Sequence, residues 1–412
     1  MSDTSRWDIR LGPKQLRRRT FMLGNKQALT LSLPAAAGCS PALSHPHKWF
    51  GAYSYGRKAL EGQTVRAGGP NGPLLCARNQ TGFTMTLTCA RREFEVEGER
   101  YSEAYFVPDA MDGFACELAG PALVVEPAFD LRFYRALNVS FQGYTIEEVA
   151  HGAVVSNVLP AGRYDDLTET FIADETSGDE QRLFVAVQAV GDGAEVEVLP
   201  IGQRARRRIF RKDQQRRRLV AHSAFAGEDG DHAPLWTRSV SSVYAPVRIH
   251  LHRQGVVVYG VGSSREEALE AAGTIAGNLT GFEVQKVEQA EAILEHARLE
   301  TGNERTDRAY AQVLTRLTDT LVARQAKAPD TQLERPSTMI LAGNQYFHDS
   351  WKRDENIALG FLLALGFYDL ARDVIADTWR LQDERTGRLP QRIRAGEDLP
   401  YHSSDGTLWA LL

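Results

Sequence analysis

Cysteine is scarce in this chain, with four thiols in 412 residues at Cys39, Cys76, Cys89 and Cys116. All lie in the first third and none has CxxC spacing, so they read as structural thiols rather than as metal ligands or a disulfide pair. Long apolar runs are missing as well. No stretch approaches the roughly 18–20 residues of a membrane span. Residues 1–20 are basic and polar with no apolar centre, unlike a secretory signal. Positive charge is not in excess either. Lys and Arg total 48 against 53 Asp and Glu, a net charge of −5 that argues against a dedicated nucleic-acid binder. Neither an internal repeat nor a low-complexity tract interrupts the chain. Together these absences lead to the expectation of a cytoplasmic protein.

What is present is ordinary globular composition, 43% hydrophobic and 25% charged, with length enough for two domains. Residues 20–262 read as β-rich. Alternating or β-branched runs recur at 83–89, 122–126, 153–158, 183–187, 195–199, 247–252 and 256–261, separated by turn clusters such as 191–193 and 227–231. Short strands punctuated this way predict a large antiparallel β-sandwich over residues 1–262. Two stretches within it stand out. Residues 45–58 are dense in aromatics and cations, and read as an aromatic-stapled loop packed between sheets or as a loop reaching over a carbohydrate groove. The basic run from Arg204 to Arg218, interrupted by Asp213, reads as a solvated hairpin rather than a polyanion site.

From residue 263 the hydrophobic period changes to that of helices. Ser264 followed by Glu266 and Glu267 predicts a capped helix start, ending near Gly277 and Asn278. A second amphipathic helix is expected over 287–299, and residues 263–303 read as a helical linker. A third, over 306–325, carries a stripe of Tyr310, Val313, Leu314, Leu317 and Leu321. Helices are then predicted at 355–365, at 368–381 and from about Asp405.

The most informative stretch is 342–412. It opens with Ala342, Gly343, Phe347, His348, Trp351, Arg353 and Asp354, directly before an apolar run, 357–365, that reads as a mostly buried helix. Residues 387–392 and 401–409 place further polar loops beside helices, the second also aromatic. Aromatic faces stack on pyranose C–H groups, while Arg and Asp hydrogen-bond to sugar hydroxyls at fixed angles. Taken alone, Arg353 and Asp354 could equally be an ion pair at a helix N-terminus. Likewise Ser404 or Asp405 could cap the last helix while Trp409 packs in the core.

Ala-Gly, Phe and Trp-x-Arg-Asp ahead of an apolar helix resemble the start of the catalytic domain of glycogen-debranching amylo-α-1,6-glucosidases. Residues 365–372 (Leu-Gly-Phe-Tyr-Asp-Leu-Ala-Arg), Gly-Arg-Leu-Pro at 387–390 and Tyr-x-x-x-Asp-x-x-Leu-Trp at 401–409 extend the resemblance in order and spacing. Trp-x-Arg-Asp also resembles glucoamylases and other inverting glycosidases on (α/α)6 barrels. The resemblance covers roughly the last quarter of the chain. Upstream, the Asn-Gly/Gly-Gly-Tyr opening of many debranching N-domains is not found, and Glu355 replaces the usual Thr or Ser after the Asp.

The resemblance implies an α+β multidomain fold, with the β-sandwich, then the helical linker, then the first α-hairpins of an (α/α)6 toroid over 304–412. It implies an inverting glycosidase, acting on α-1,6 branch bonds of glycogen or a related α-glucan. No metal or cofactor, no nucleic acid and no membrane would be required. Arg353 and Asp354 would hold the 4- and 6-hydroxyls of the non-reducing glucose, and Trp351 would wall the pocket. Arg388, Gln391, Tyr401, Asp405 and Trp409 are further candidate contacts, whereas His348 and His402 read as loop histidines. The general acid and base, normally about 6.5–9.5 Å apart, would lie downstream of the Tyr-x-x-x-Asp motif, beyond Leu412, in a longer protein. Alternatives are a glycoside phosphorylase or other α-glycosidase on the same scaffold, or a non-catalytic carbohydrate-binding protein.

Overall fold

Strict alternation in 89–96 shows how the β-rich half is written. Ala90, Arg92, Phe94 and Val96 turn inward while Arg91, Glu93 and Glu95 face water, as a period of two requires. In the computed structural model, the described residues are 4–16, 19–25, 29–37, 50–54, 56–109, 111–133, 144–159, 162–165, 170–173, 181–200, 205–213, 218–222, 237–320, 322–326, 337–343, 349–394 and 399–410. Among them an 11-stranded antiparallel sheet centres on two long strands, Gly113–Ala128 and Val247–Gly262, paired with each other. A five-stranded sheet contains Thr20–Gly24, Leu29–Pro34, Gly51–Ser54, Arg57–Leu60 and Arg132–Phe133. Both sheets contribute to one hydrophobic core, in which Phe21 lies 5.5 Å from Phe83 and 5.7 Å from Tyr105 between ring centres. The α+β class with antiparallel sheets ahead of the helices is therefore present.

Several expected boundaries shift, each for a local reason. The run 83–89 is two strands, because Thr86 turns the chain between them and its hydroxyl accepts the Cys89 N–H at 2.9 Å. The runs 247–252 and 256–261 are one strand. Their polar break, His252-Arg253-Gln254, faces a register shift between Ala119 and Ala122, and Arg253 adopts φ +66°. Much of 45–58 is strand rather than loop. Tyr53 and Lys58 are fully buried, and Lys58 Nζ lies 3.2 Å from Asp130, so the described part packs inside and does not reach over a groove. Residues 45–49 and 55 lie outside the described residues. The basic run does form a hairpin, Ala205–Asp213 pairing with Arg218–His222, while residues 227–231 lie outside the described ones.

Helix α1 (Arg265–Gly277) starts as expected, with Ser264 Oγ accepting the Glu267 N–H at 3.1 Å. It presses Ala268, Ala272 and Ile275 onto the sheet. The close approach needs glycine. A Cβ on Gly260 would sit 2.2 Å from the Ala268 carbonyl oxygen. Helix α2 spans Leu279–His296, starting earlier than expected, and α3 spans Glu304–Thr320. The chain beyond α3 is strand Val322–Ala326 rather than helix, paired with Ser337–Ile340. Helices α2 and α3 are bound to the β half by Lys286. Its Nζ donates to Gly24 O at 2.6 Å and Asp109 at 2.9 Å, with Asp319 of α3 at 3.6 Å. Arg316 adds a hydrogen bond to Thr86 O at 2.8 Å.

Helices α4 (Lys352–Ala364) and α5 (Tyr368–Trp379) form a hairpin around Leu359, Leu362, Leu370, Ala371, Val374 and Ile340. A Schellman turn closes α4. Gly366 has φ +82° and the Phe367 N–H reaches Leu362 O at 2.9 Å. The expectation that this helix is mostly buried is corrected, since Ile357, Phe361 and Leu363 are 51%, 47% and 44% exposed. Leu359 and Leu362 face the apolar side of α5, and Lys352 and Glu355, at the start of the helix, reach Thr378 of α5. The last helix, α6, spans Asp405–Ala410 and packs on α4. No helix among the described residues is long and apolar enough to cross a membrane.

Candidate functional site

Three segments meet at the N-terminus of α4. Residues 350–351 pair with Arg392–Ile393 as a two-residue ribbon, and the Lys352 N–H donates to Gln391 O at 3.0 Å. Gln391 N in turn reaches Pro400 O at 2.7 Å, tying in the segment before α6. Leu389 N donates to Thr407 Oγ1 at 2.9 Å, and Asn356 Nδ2 to Gly406 O at 3.1 Å. Backbone and side-chain hydrogen bonds therefore tie together the described parts of the three loops singled out by sequence.

On this frame Arg353 lies 3.6 Å from Asp354 and 3.5 Å from Asp405, all three about half exposed. Ion pairs so open to water add at most about 1 kcal/mol of stability. They leave two carboxylates and one guanidinium facing outward, with hydrogen-bonding capacity for a polar ligand. The Asp405 carboxyl is held below the usual range, chiefly by the Ser403 hydroxyl, then by the Gly406 N–H and Arg353. A general acid needs the opposite shift. Asp405 thus suits acceptance of hydroxyl protons in hydrogen bonds rather than proton donation. Asp354 sits in the first turn of α4, where a carboxylate also favours the helix dipole.

Trp351 precedes the helix in extended conformation and is half-buried. The Arg392 guanidinium lies 5.4 Å from its ring centre, a cation–π contact on the indole. Arg388 is exposed and donates to Tyr401 O at 3.5 Å. Tyr401 is half-buried and its hydroxyl donates to Leu381 O at 2.9 Å; burial, with Asp383 nearby, pushes its pKa upward. Tyr401 therefore braces the loop against the end of α5. His402 is exposed, whereas His348 and the side chain of Trp409 lie outside the described residues. Trp351, Arg353, Asp354 and Asp405 are thus grouped at one helix mouth, with Arg388 and Tyr401 on the adjoining loop.

Sequence reasoning missed the supports beneath this rim. Glu355 does not face solvent. It is fully buried and accepts hydrogen bonds from Ile340 N, Ser350 Oγ, Lys352 Nζ and Thr378 Oγ1 at 3.0, 2.8, 2.6 and 2.6 Å. Asp349 and Arg394 form a second buried pair at 2.9 Å. Only the Glu355 departure from the family pattern hinted at this. No local signal marks Arg392 or Arg394.

A family model described as amylo-alpha-1,6-glucosidase matches residues 316–412. Comparison with curated proteins found no match. Among solved structures, a bacterial glucoamylase in complex with acarbose aligns at 10% identity and TM-score 0.48, over 93% of this chain and 53% of that one. An α-mannosidase of family GH92 from Bacteroides thetaiotaomicron aligns at 8% identity and TM-score 0.46, over 91% and 49%. The chain spans about half the length of these two structures. Residues 316–412, which hold the rim and its supports, are similar to the amylo-alpha-1,6-glucosidase family.

Proposed function

We propose that the helix mouth around Trp351, Arg353, Asp354 and Asp405 is a glucose-binding subsite of a glycoside hydrolase of the glycogen-debranching type. The protein would hydrolyse α-1,6 branch bonds of glycogen or a related α-glucan, with inversion. The grouping of an outward-facing Arg with two carboxylates beside a Trp, inside the family-matched segment, carries this reading. Trp351 walls the sugar, Arg353 donates to hydroxyl oxygens, and Asp354 and Asp405 accept from hydroxyls. Arg388 and Tyr401 shape the adjoining loop, and Trp409 stands in the same motif. In this reading α4 to α6 open an (α/α)6 toroid over 304–412, behind a β domain at 1–262 and a linker at 263–303. Scarce cysteine supports a reducing, cytoplasmic setting.

The test is glucose release by the full-length open reading frame from a maltooligosaccharide bearing one α-1,6-glucosyl branch, with the anomer followed by NMR. Initial β-glucose is expected. Asp354→Asn should lower kcat/KM about 100-fold, since a charged hydrogen bond to a bound hydroxyl is worth about 1.5–3 kcal/mol. Activity equal to wild type in Asp354→Asn would refute the subsite. Glucose 1-phosphate formation in phosphate buffer would instead identify a phosphorylase on the same scaffold.

A further inference from the structure

We propose that Glu355 is the positioning residue of the rim, fixing the first turn of α4 so that Arg353 and Asp354 meet the sugar in one orientation. The inference rests on the sugar-binding reading of residues 351–354. Four donors from three segments, at residues 340, 350–352 and 378, converge on this carboxylate. Oε2 takes Ile340 N and Ser350 Oγ at 3.0 and 2.8 Å; Oε1 takes Lys352 Nζ and Thr378 Oγ1, both at 2.6 Å. Lys352 Nζ also donates to Thr378 Oγ1 at 3.2 Å, which closes the network. Glu355, Ser350, Lys352 and Thr378 are each at most 1% exposed, so none of them can touch a ligand.

Two geometric consequences follow. A helix turns about 100° per residue, so holding Glu355 inward turns Arg353 to the opposite side, toward water. That is where Arg353 lies, within 3.5 Å of Asp405. Secondly, Ser350 immediately precedes Trp351, so the same carboxylate fixes both the aromatic wall and the helix start. Stability alone is a weak reason for such a group. A well-packed apolar pair is often as stable as a buried ion pair, whereas four directional bonds allow one arrangement only.

The experiment measures deoxynojirimycin affinity by calorimetry, and KM and kcat on the branched oligosaccharide, in the full-length protein. Glu355→Gln, Ser350→Ala and Thr378→Val are compared with Asp354→Asn, and each fold and melting temperature is recorded. A displacement of the rim of about 1 Å costs up to about 100-fold. Folded Glu355→Gln should therefore bind the iminosugar about tenfold or more weakly, and Ser350→Ala should weaken it by a smaller factor. Thr378→Val, which loosens the network only from the α5 side, should lose stability with affinity within about twofold. If Glu355→Gln does not fold, the contrast between Ser350→Ala and Thr378→Val carries the test. Wild-type affinity in folded Glu355→Gln, or equal affinities in the two milder variants, overturns the positioning role while Asp354→Asn still weakens binding. If Asp354→Asn binds as wild type does, the subsite reading fails and the positioning role with it.

Discussion

Asp112 should make this protein less stable as the pH rises from acid to neutral, and Asp112→Asn should abolish that loss. The residue lies just before strand Gly113–Ala128. Its Oδ2 accepts the Ser54 hydroxyl at 3.1 Å, while its Oδ1 is covered from solvent and has no hydrogen bond among the described residues. Burial raises its pKa from 3.8 to about 6, against the opposing pull of Arg57 and the Ser54 hydroxyl, with Glu267 adding to the rise. The folded state therefore holds this proton more tightly than the unfolded chain does. The stabilisation from protonation is complete below the unfolded value of 3.8 and is lost as the pH passes through about 6. From 3.8 to about 6, at about 1.4 kcal/mol per pH unit, the ceiling is about 3 kcal/mol. The residue as a whole is only half-buried, so water screens part of this and about 1–2 kcal/mol is expected.

Asn keeps an acceptor for Ser54 and cannot ionise. Urea unfolding of both proteins at pH 4, 5, 6, 7 and 8 gives the stability difference at each pH, and groups common to both cancel. Relative to wild type, the variant should gain about 1–2 kcal/mol between pH 4 and 8, nearly all of it below about pH 6, with the midpoint of the gain about midway between 3.8 and 6. A constant offset, from altered contacts with Arg57, leaves this slope untouched. A difference that stays flat with pH, or falls as pH rises, would refute the assignment.

Lys286→Met should destabilise the protein by about 3 kcal/mol in urea unfolding. That is the lower end for breaking a buried pair, because Arg316 still lies 3.7 Å from Asp319. Gly260→Ala should cost about 3 kcal/mol, because its Cβ would meet the backbone of α1 at 2.2 and 2.5 Å; a shift in melting temperature under one degree would refute the packing. Ser403→Ala should raise the Asp405 pKa toward the ordinary carboxylate range by removing its strongest support. A plot of KM against pH for the variant should then begin its acid-side rise at higher pH than in wild type, with kcat at neutral pH little changed.

The sheet regions were legible where alternation was strict, as at 195–199, and where glycines marked turns, as at 191–193. Polar interruptions misled. His252-Arg253-Gln254 looks like a turn, but a bulge carries the strand through it. At the site, residue types and spacing named the exposed rim, since Arg353, Asp354 and Asp405 do meet there. The buried layer was not legible. Lys352 and Glu355 look like a solvated i, i+3 pair in a charged helix turn, yet both lie in the interior. Their burial depends on donors from residues 340, 350 and 378, which local sequence does not bring together. For the same reason the 83–89 run concealed its turn. Threonine suits a strand as well as a turn, and the hydrogen bond from Cys89 N to Thr86 Oγ1 decides between them.

The arrangement of charge around α4 would suit one short helix to the proposed binding rim. Its exposed charges contribute little to folding and keep their hydrogen-bonding capacity. Its buried charges are costly to desolvate, and each is committed to several fixed partners. The far end of α4 is held differently. The ring centres of Phe367, after the Gly366 turn, and His296, at the end of α2, are 4.9 Å apart. Helix α2 is itself anchored through Lys286 to the strands. The helix is therefore clamped at its mouth by a polar network and at its tail by apolar and aromatic packing. A ligand that pairs with Arg353 meets a side chain whose backbone is already ordered, so binding need order only the side chains. Loosening the tail, for example with His296→Ala, should then weaken sugar binding less than loosening the mouth, although both lower stability.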